Sequence, residues 1–238
     1  MMKIGILLVG RASEDLVDEY GTYAEMLIAL INTEEQVFEF KTFNILDDEF
    51  PKDHLECDGW IVTGSPHGVY EDHSWIPTVS QLINNVYEAN LPIFGVCFGH
   101  QLIAQALGGH VEKSEKGWGL GLHTYQVNNK PDYMSNLSEE VTLNICHQDQ
   151  VLRPPQGATV YAKSEFCENA GFYIKDKVLT MQAHPEFLVD FTKALLTARR
   201  DVTIPKEFVD PALVGLKNNP DSAQSNQFAK TIRQFFLT

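Results

Sequence analysis

Basic residues are scarce in this chain. Eighteen Lys and Arg stand against 32 Asp and Glu over 238 residues, a formal charge of −14. A partner with a phosphate backbone is disfavoured by that balance, because nucleic-acid binders present clustered Lys and Arg. Long apolar runs are missing too. The opening stretch from Lys3 to Val9 is far short of the ~18 apolar residues of a membrane span, and Arg11, Glu14 and Asp15 follow where a leader would carry small residues for cleavage. It reads as a first buried strand. The four cysteines, Cys57, Cys97, Cys146 and Cys167, show no C-x-x-C spacing. Neither a zinc site nor a compact disulfide framework is indicated by them, and a reducing cytoplasm fits best. No P-loop, no G-x-G-x-x-G and no internal repeat occurs. An attached nucleotide-handling domain is therefore not expected.

What is present fits one large α/β domain spanning 1–238, since a chain of this length buries a sizeable core without being forced to divide. Lys3 to Val9 reads as a strand, Tyr20 to Asn32 as a helix and Val37 to Ile45 as a strand, the start of a doubly wound sheet. Gly59 to Val62 is a further strand, ending in the turn Thr63-Gly64-Ser65-Pro66-His67-Gly68. Pro77 to Ala89 reads as a helix. The aromatic and acidic loop before it, Tyr70 to Trp75, is assigned no role. After Val111 short strands follow at Leu122–Val127, Val141–Cys146, Ala158–Lys163, Gly171–Lys175 and Val178–Ala183, the last two as a hairpin. Helices over about 188–200 and from Ser222 to Phe236 form a helical tail, joined by a proline-bearing connection over 204–220.

The stretch with the most chemistry is Phe94-Gly95-Val96-Cys97-Phe98-Gly99-His100-Gln101. An apolar strand runs into a thiol with glycines two residues to either side, and a helix from Gln101 to Leu107 follows. A nucleophile elbow needs small residues at those flanks, because a side chain there would strike neighbouring backbone. The helix N-terminus favours thiolate over thiol. Taken alone, the elbow also fits an ordinary buried cysteine. The second signal lies about ninety residues on, where a strand delivers His184-Pro185-Glu186. A cysteine nucleophile needs a base and the base an orienting group, and Pro185 fixes the path from imidazole to carboxylate.

Together, G-V-C-F-G-H-Q and H-P-E resemble the class I glutamine amidotransferase family, most closely free-standing members similar to the glutaminase domain of GMP synthase. The resemblance covers nearly the whole chain through Glu186. It implies a flavodoxin-like three-layer sandwich with a mixed, mainly parallel central sheet. It also implies a Cys97, His184, Glu186 triad, with an oxyanion hole from the N–H groups of Phe98 and Ser65. Serine at 65 departs from the family's G-G-P turn. Gly64, Gln101, Gln148 and Asp149 are implied as substrate contacts; His147 itself reads as structural and Cys146 as a small core residue. The expected reaction is attack of the thiolate on a γ-glutamyl amide, giving a thioester, then glutamate. No metal or organic cofactor is called for. Three readings compete: a glutaminase feeding a separate synthase subunit, a self-sufficient γ-glutamyl peptidase, and a catalytically silent binding protein. No synthase domain follows in the chain, and Ser65 resists the peptide rearrangement that glycine permits, so autonomous hydrolysis is expected. The role of the Gly117–Gly121 loop is left open.

Overall fold

The structure is a computed structural model that describes residues 1–32, 36–220 and 223–238. Its strands are β1 (Met2–Leu8), β2 (Phe38–Asn44), β3 (Gly59–Val62), β4 (Ile93–Val96), β5 (His110–Lys113), β6 (Gly119–Val127), β7 (Glu140–His147), β8 (Asp149–Arg153), β9 (Thr159–Lys163), β10 (Gly171–Ile174) and β11 (Val178–Met181). Nine of them form one sheet, in the order β2-β1-β3-β4-β11-β10-β9-β6-β7. Pairing is parallel from β2 to β11 and antiparallel beyond. This is the expected mixed, flavodoxin-like sheet, and ligands of such sheets bind beyond the carboxyl ends of the parallel strands.

Helices flank both faces: α1 (Glu14–Tyr20), α2 (Tyr23–Ile31), α3 (Trp75–Glu88), α4 (Phe98–Ala106), α5 (Val189–Arg199), α6 (Lys206–Asn218) and α7 (Ser225–Leu237). The alternation of side chains along each strand divides the core in two. Ile4, Ile6, Ile61, Phe94, Val96, Leu179 and Met181 point to one face, with Leu27, Leu195 and Phe228 of the helices packed there. Leu7, Trp60, Val62, Ile93 and Val178 point to the other, against Val79 and Ile83 of α3 and Leu102 and Ile103 of α4. Runs buried on both sides are what parallel strands require.

The differences from expectation have physical reasons. The helix expected from Tyr20 is two helices, α1 and α2. Gly21 at φ 82° breaks the chain, and Thr22 and Glu25 form a capping box that starts α2 afresh. The connection over 204–220 is helix α6, with Pro211 inside it. The proline suggested a loop, but Val209 and Leu216, seven residues apart on one face, are fully buried and fix the helix in place. Strand β6 begins at Gly119, so the last three residues of the Gly117–Gly121 segment belong to the sheet. Gly119 pairs with His147, and a Cβ there would fall 2.3 Å from the Phe166 ring. Strands β5 and β8 pair with each other as a separate ribbon that was not foreseen. The expected start of the last helix at Ser222 lies outside the described residues.

Candidate active site

Strand β4 delivers Cys97 to a bend that only this local sequence tolerates. Cys97 has φ 52° and ψ −105°, a conformation that costs a non-glycine residue of order 1–3 kcal/mol. The bend is held from both sides. The Cys97 N–H donates to the Met181 carbonyl of β11 at 2.8 Å, and the Gln101 N–H donates to the Cys97 carbonyl at 3.1 Å. A Cβ on Gly95 would lie 2.6 Å from the Gly99 carbonyl, and one on Gly99 would lie 2.2 Å from the Val62 carbonyl oxygen. Both glycines are therefore steric requirements of the elbow. Phe98 opens α4, so its N–H is one of the four with no acceptor inside the helix.

The neighbouring strand β11 carries the chain to His184 and Glu186. Imidazole Nδ1 lies 2.7 Å from the Glu186 carboxylate, and both side chains are almost wholly buried. The other ring nitrogen is left for Cys97. Burial pulls the imidazole toward neutrality. Charge on Cys97 and on Glu186, with the hydrogen bond to Glu186, outweighs it and holds the pKa up to about 10. His184 is thus an imidazolium through the neutral range, facing a sulfur.

Two residues not foreseen from sequence hold that imidazole. Phe187 stacks on the His184 ring, with centroids 3.8 Å apart and planes 6° from parallel. Asn144 of β7 fixes the backbone on either side of the ring: its main-chain carbonyl accepts from the main-chain N–H of His184 at 2.8 Å, and its side-chain amide donates to the Phe187 carbonyl at 2.8 Å. Neither belongs to a recognisable motif. H-P-E-F would have suggested Phe187 only to a reader looking for a stacking partner.

The turn after β3 is the third part. The Thr63 hydroxyl accepts from the Val9 N–H and donates to the Gly64 carbonyl, each at 3.1 Å. Gly10 packs under that carbonyl, where a Cβ would sit 2.5 Å from the oxygen. Because a trans peptide sets N–H opposite C=O, the Ser65 N–H is turned away from Gly10. Neither Gly64 nor Ser65 has positive φ, so serine fits here without strain. Gly64 is small for another reason: a Cβ would come within 2.9 Å of His184 Cε1 and 3.7 Å of Cys97 Cβ.

These parts border a cavity of about 160 Å³ lined by Cys97, Ser65, Gln101, Gln148 and Asp149, all singled out from sequence. Gln101 donates through its amide to the Asp149 carbonyl at 2.9 Å and to Gln182 at 3.0 Å, so it braces the wall as well as lining it. His147 and Cys146 border the cavity too. Burial keeps His147 neutral, its pKa down at about 3. The remaining wall was missed. Tyr70 and Glu71 come from the loop assigned no role, Trp118 from the undecided one, Lys113 from the end of β5 and Arg199 from the end of α5. Desolvation, with the Asp149 carboxylate nearby, pushes the Tyr70 hydroxyl up to about 12. Arg199, half-buried, reaches the Cys146 sulfur at 3.6 Å. Cations at a cavity wall come together only through the fold, and no local pattern marks them.

Burial raises the pKa of Cys57 and Cys146, and takes Cys167 up to about 12.

The family model for glutamine amidotransferase class-I matches residues 15–199. The chain belongs to the class I glutamine amidotransferase family. Among its relatives is gamma-glutamyl peptidase 4 of Arabidopsis thaliana, 35% identical over 189 residues, which are 76% of this chain and 74% of that one. A GMP synthase (glutamine-hydrolyzing) of Bacillus velezensis is 31% identical over 172 residues, 71% of this chain and 29% of that protein. A glutamine amidotransferase of Thermotoga maritima shares the fold, with a TM-score of 0.79 at 18% identity, covering 100% of this chain and 99% of the other. Among the described residues no helix is long and apolar enough to cross a membrane.

Proposed function

We propose that the protein hydrolyses γ-glutamyl amide bonds through a thioester on Cys97, acting without a synthase partner. The observation that carries the reading is the buried pair of Glu186 and His184 beside Cys97, the member of the set that lines the cavity. The Cys97 thiolate attacks the γ-carbonyl carbon, and the developing oxyanion lies toward the N–H groups of Phe98 and Ser65. As the tetrahedral intermediate collapses, the imidazolium of His184 gives its proton to the departing amine or ammonia. A water then attacks the thioester, His184 takes its proton, and glutamate leaves with the thiolate restored. Glu186 holds the ring in orientation and stabilises its charge. In this scheme Gly64 lets the imidazole approach, Gln101 and Asp149 shape the glutamyl pocket beside Gln148, and Arg199 and Lys113 supply cations for substrate carboxylates. Thiol, imidazole and oxyanion donors complete the reaction without a metal or organic cofactor.

Autonomy is supported by the turn at Ser65. Its preceding carbonyl is tied by Thr63 and backed by Gly10, so the Ser65 N–H is already oriented with no partner docked. Similarity to a chain named as a gamma-glutamyl peptidase supports the same reading. The match to GMP synthase favours a second one, a glutaminase delivering ammonia to a synthase on another chain. One assay separates them. Purified protein is given glutamine, γ-glutamyl dipeptides and α-glutamyl dipeptides, with Cys97→Ala as the blank, and glutamate release is measured. Turnover of γ-glutamyl but not α-glutamyl compounds is expected. Release from glutamine alone, appearing only when a synthase is added, would establish the second reading, and a uniform blank would leave the silent binding protein.

A further inference from the structure

At the rim of the Cys97 cavity, the loop between β3 and α3 folds two imidazoles onto one carboxylate. His67 Nδ1 lies 3.1 Å and His73 Nε2 lies 2.9 Å from the same oxygen, Oε2 of Glu71. The three donor atoms all lie within 4.8 Å of one another, and among the described residues no other three His, Cys, Asp or Glu side chains are grouped this way. Two imidazoles and one carboxylate, with the fourth position left open, is a donor set that zinc accepts. With ligand bonds of about 2.0–2.1 Å, a tetrahedral ion sets its donors about 3.3 Å apart. The two imidazole-to-carboxylate distances are within a few tenths of an ångström of that.

The loop is built to keep the donors together. The Glu71 N–H donates to the Gly68 carbonyl and the His73 N–H to the Glu71 carbonyl, each at 3.0 Å. The His67 and His73 rings meet at 4.1 Å between centroids, and His73 stacks on the buried Trp75 at 5.8 Å and 15°. Little rearrangement is left for an ion to impose. The position also matters. His67 and Glu71 line the same cavity as Cys97, His67 follows Ser65 by two residues, and Trp75 packs on Phe98 at 5.6 Å. The cluster is thus tied to both segments that flank the thiol.

We infer that His67, Glu71 and His73 form a binding site for a borderline divalent cation of the zinc type. The ion replaces the hydrogen bonds that the imidazoles share with Glu71, and takes its fourth ligand, water or a substrate carboxylate, from the cavity side. Soft thiolate ligands are absent from the set and carbonyl oxygens do not contribute, so Zn²⁺, Co²⁺, Ni²⁺ and Cu²⁺ are favoured over Mg²⁺ or Ca²⁺. None of the steps at Cys97 depends on the ion. Its consequence is to fix the loop from His67 to His73 and to place positive charge at the cavity rim.

The test uses Cys97→Ala, so that the nucleophile is not itself a ligand. Titration with ZnCl2 by calorimetry is expected to show one equivalent bound and a raised melting temperature, with neither produced by MgCl2. His67→Ala and His73→Ala are each expected to weaken zinc binding tenfold or more, and the double variant to abolish both the heat and the melting shift. These side chains are partly exposed, so metal-free melting should stay close to that of the parent. CoCl2 added to Cys97→Ala supplies a measurement that needs no histidine variant. Visible d–d bands without sulfur-to-metal charge transfer are expected. No binding, binding unchanged in the double variant, or a cobalt spectrum with thiolate character would each overturn the assignment.

Discussion

At the scale of single residues, the strongest commitment is the charge on His184. Its pKa of about 10 is set by Cys97 and Glu186 against the opposing effect of burial. The acid that protonates the leaving amine is therefore present through neutral pH and is lost as pH rises toward 10. Plots of kcat/KM for a γ-glutamyl amide against pH should have an alkaline limb near that value. Glu186→Gln keeps a hydrogen bond to Nδ1 but removes the charge, so the limb should move to lower pH and the plateau should fall while some activity remains. An alkaline limb that stays in place would mean that another group carries it. Gly64 gives a second residue-scale expectation. The Cβ of Gly64→Ala would meet His184 Cε1 at 2.9 Å, and displacing an imidazole by a fraction of an ångström to an ångström costs up to about 100-fold. Reduced kcat with unchanged melting should result, and wild-type kcat in Gly64→Ala would show that the ring moves freely.

Between β3, β4 and α4 the decisive contacts are backbone against backbone. A Cβ on Gly99 would approach the Val62 carbonyl oxygen at 2.2 Å, and neither partner is a flexible side chain able to yield. Gly99→Ala should therefore push α4 away from β3, destabilise by at least the 1–3 kcal/mol usual for overpacking, and lower both melting temperature and soluble yield. Melting within a degree or two of wild type would show that the elbow adapts. Gly95 and Gly99 were legible in the sequence because the strain of an elbow is local and leaves a local mark. So were the central parallel strands β1, β3, β4 and β11, with their mainly apolar runs. Helix α6 was hidden by Pro211, a residue whose local meaning was outvoted by the burial of Val209 and Leu216. Strands β5 and β8 were hidden because each is short and finds its partner far along the chain. The cavity wall followed the same rule. Cys97, His184 and Glu186 stand in compact motifs, whereas Tyr70, Glu71, Lys113, Trp118 and Arg199 are scattered positions that meet only once the sheet is assembled.

Over the whole molecule, buried histidines of opposite character shape stability against pH. His100 and His147 are held neutral by burial, with pKa values of about 3, while an unfolded chain protonates them near 6.5. Between those values the unfolded state binds the extra protons, so stability is lost as pH falls from about 6.5, by up to ~1.4 kcal/mol per pH unit for each group. His184 works in the other direction. Its raised pKa contributes stability that is complete below about 6.5 and disappears as pH rises to about 10. Melting temperature should therefore peak near pH 6–7, and His184→Ala should flatten the alkaline side while leaving the acid side in place. An alkaline slope that persists in that variant would trace to the other thiols and tyrosines instead. The relay itself rests on the pairing of β4 with β11, where Met181 aligns with Val96 and the Cys97 N–H reaches across to the Met181 carbonyl. Neighbouring strands lie about 4.8 Å apart whatever chain joins them. The thiol and the imidazole are thus adjacent laterally and remote along the polypeptide, and their spacing is indifferent to the length of the segment between. A cut or a graft at the exposed Asn128–Lys130 turn, between β6 and β7, would leave that lateral spacing untouched, and two pieces rejoined by the eight-residue β6–β7 register would rebuild the relay from halves that each lack it.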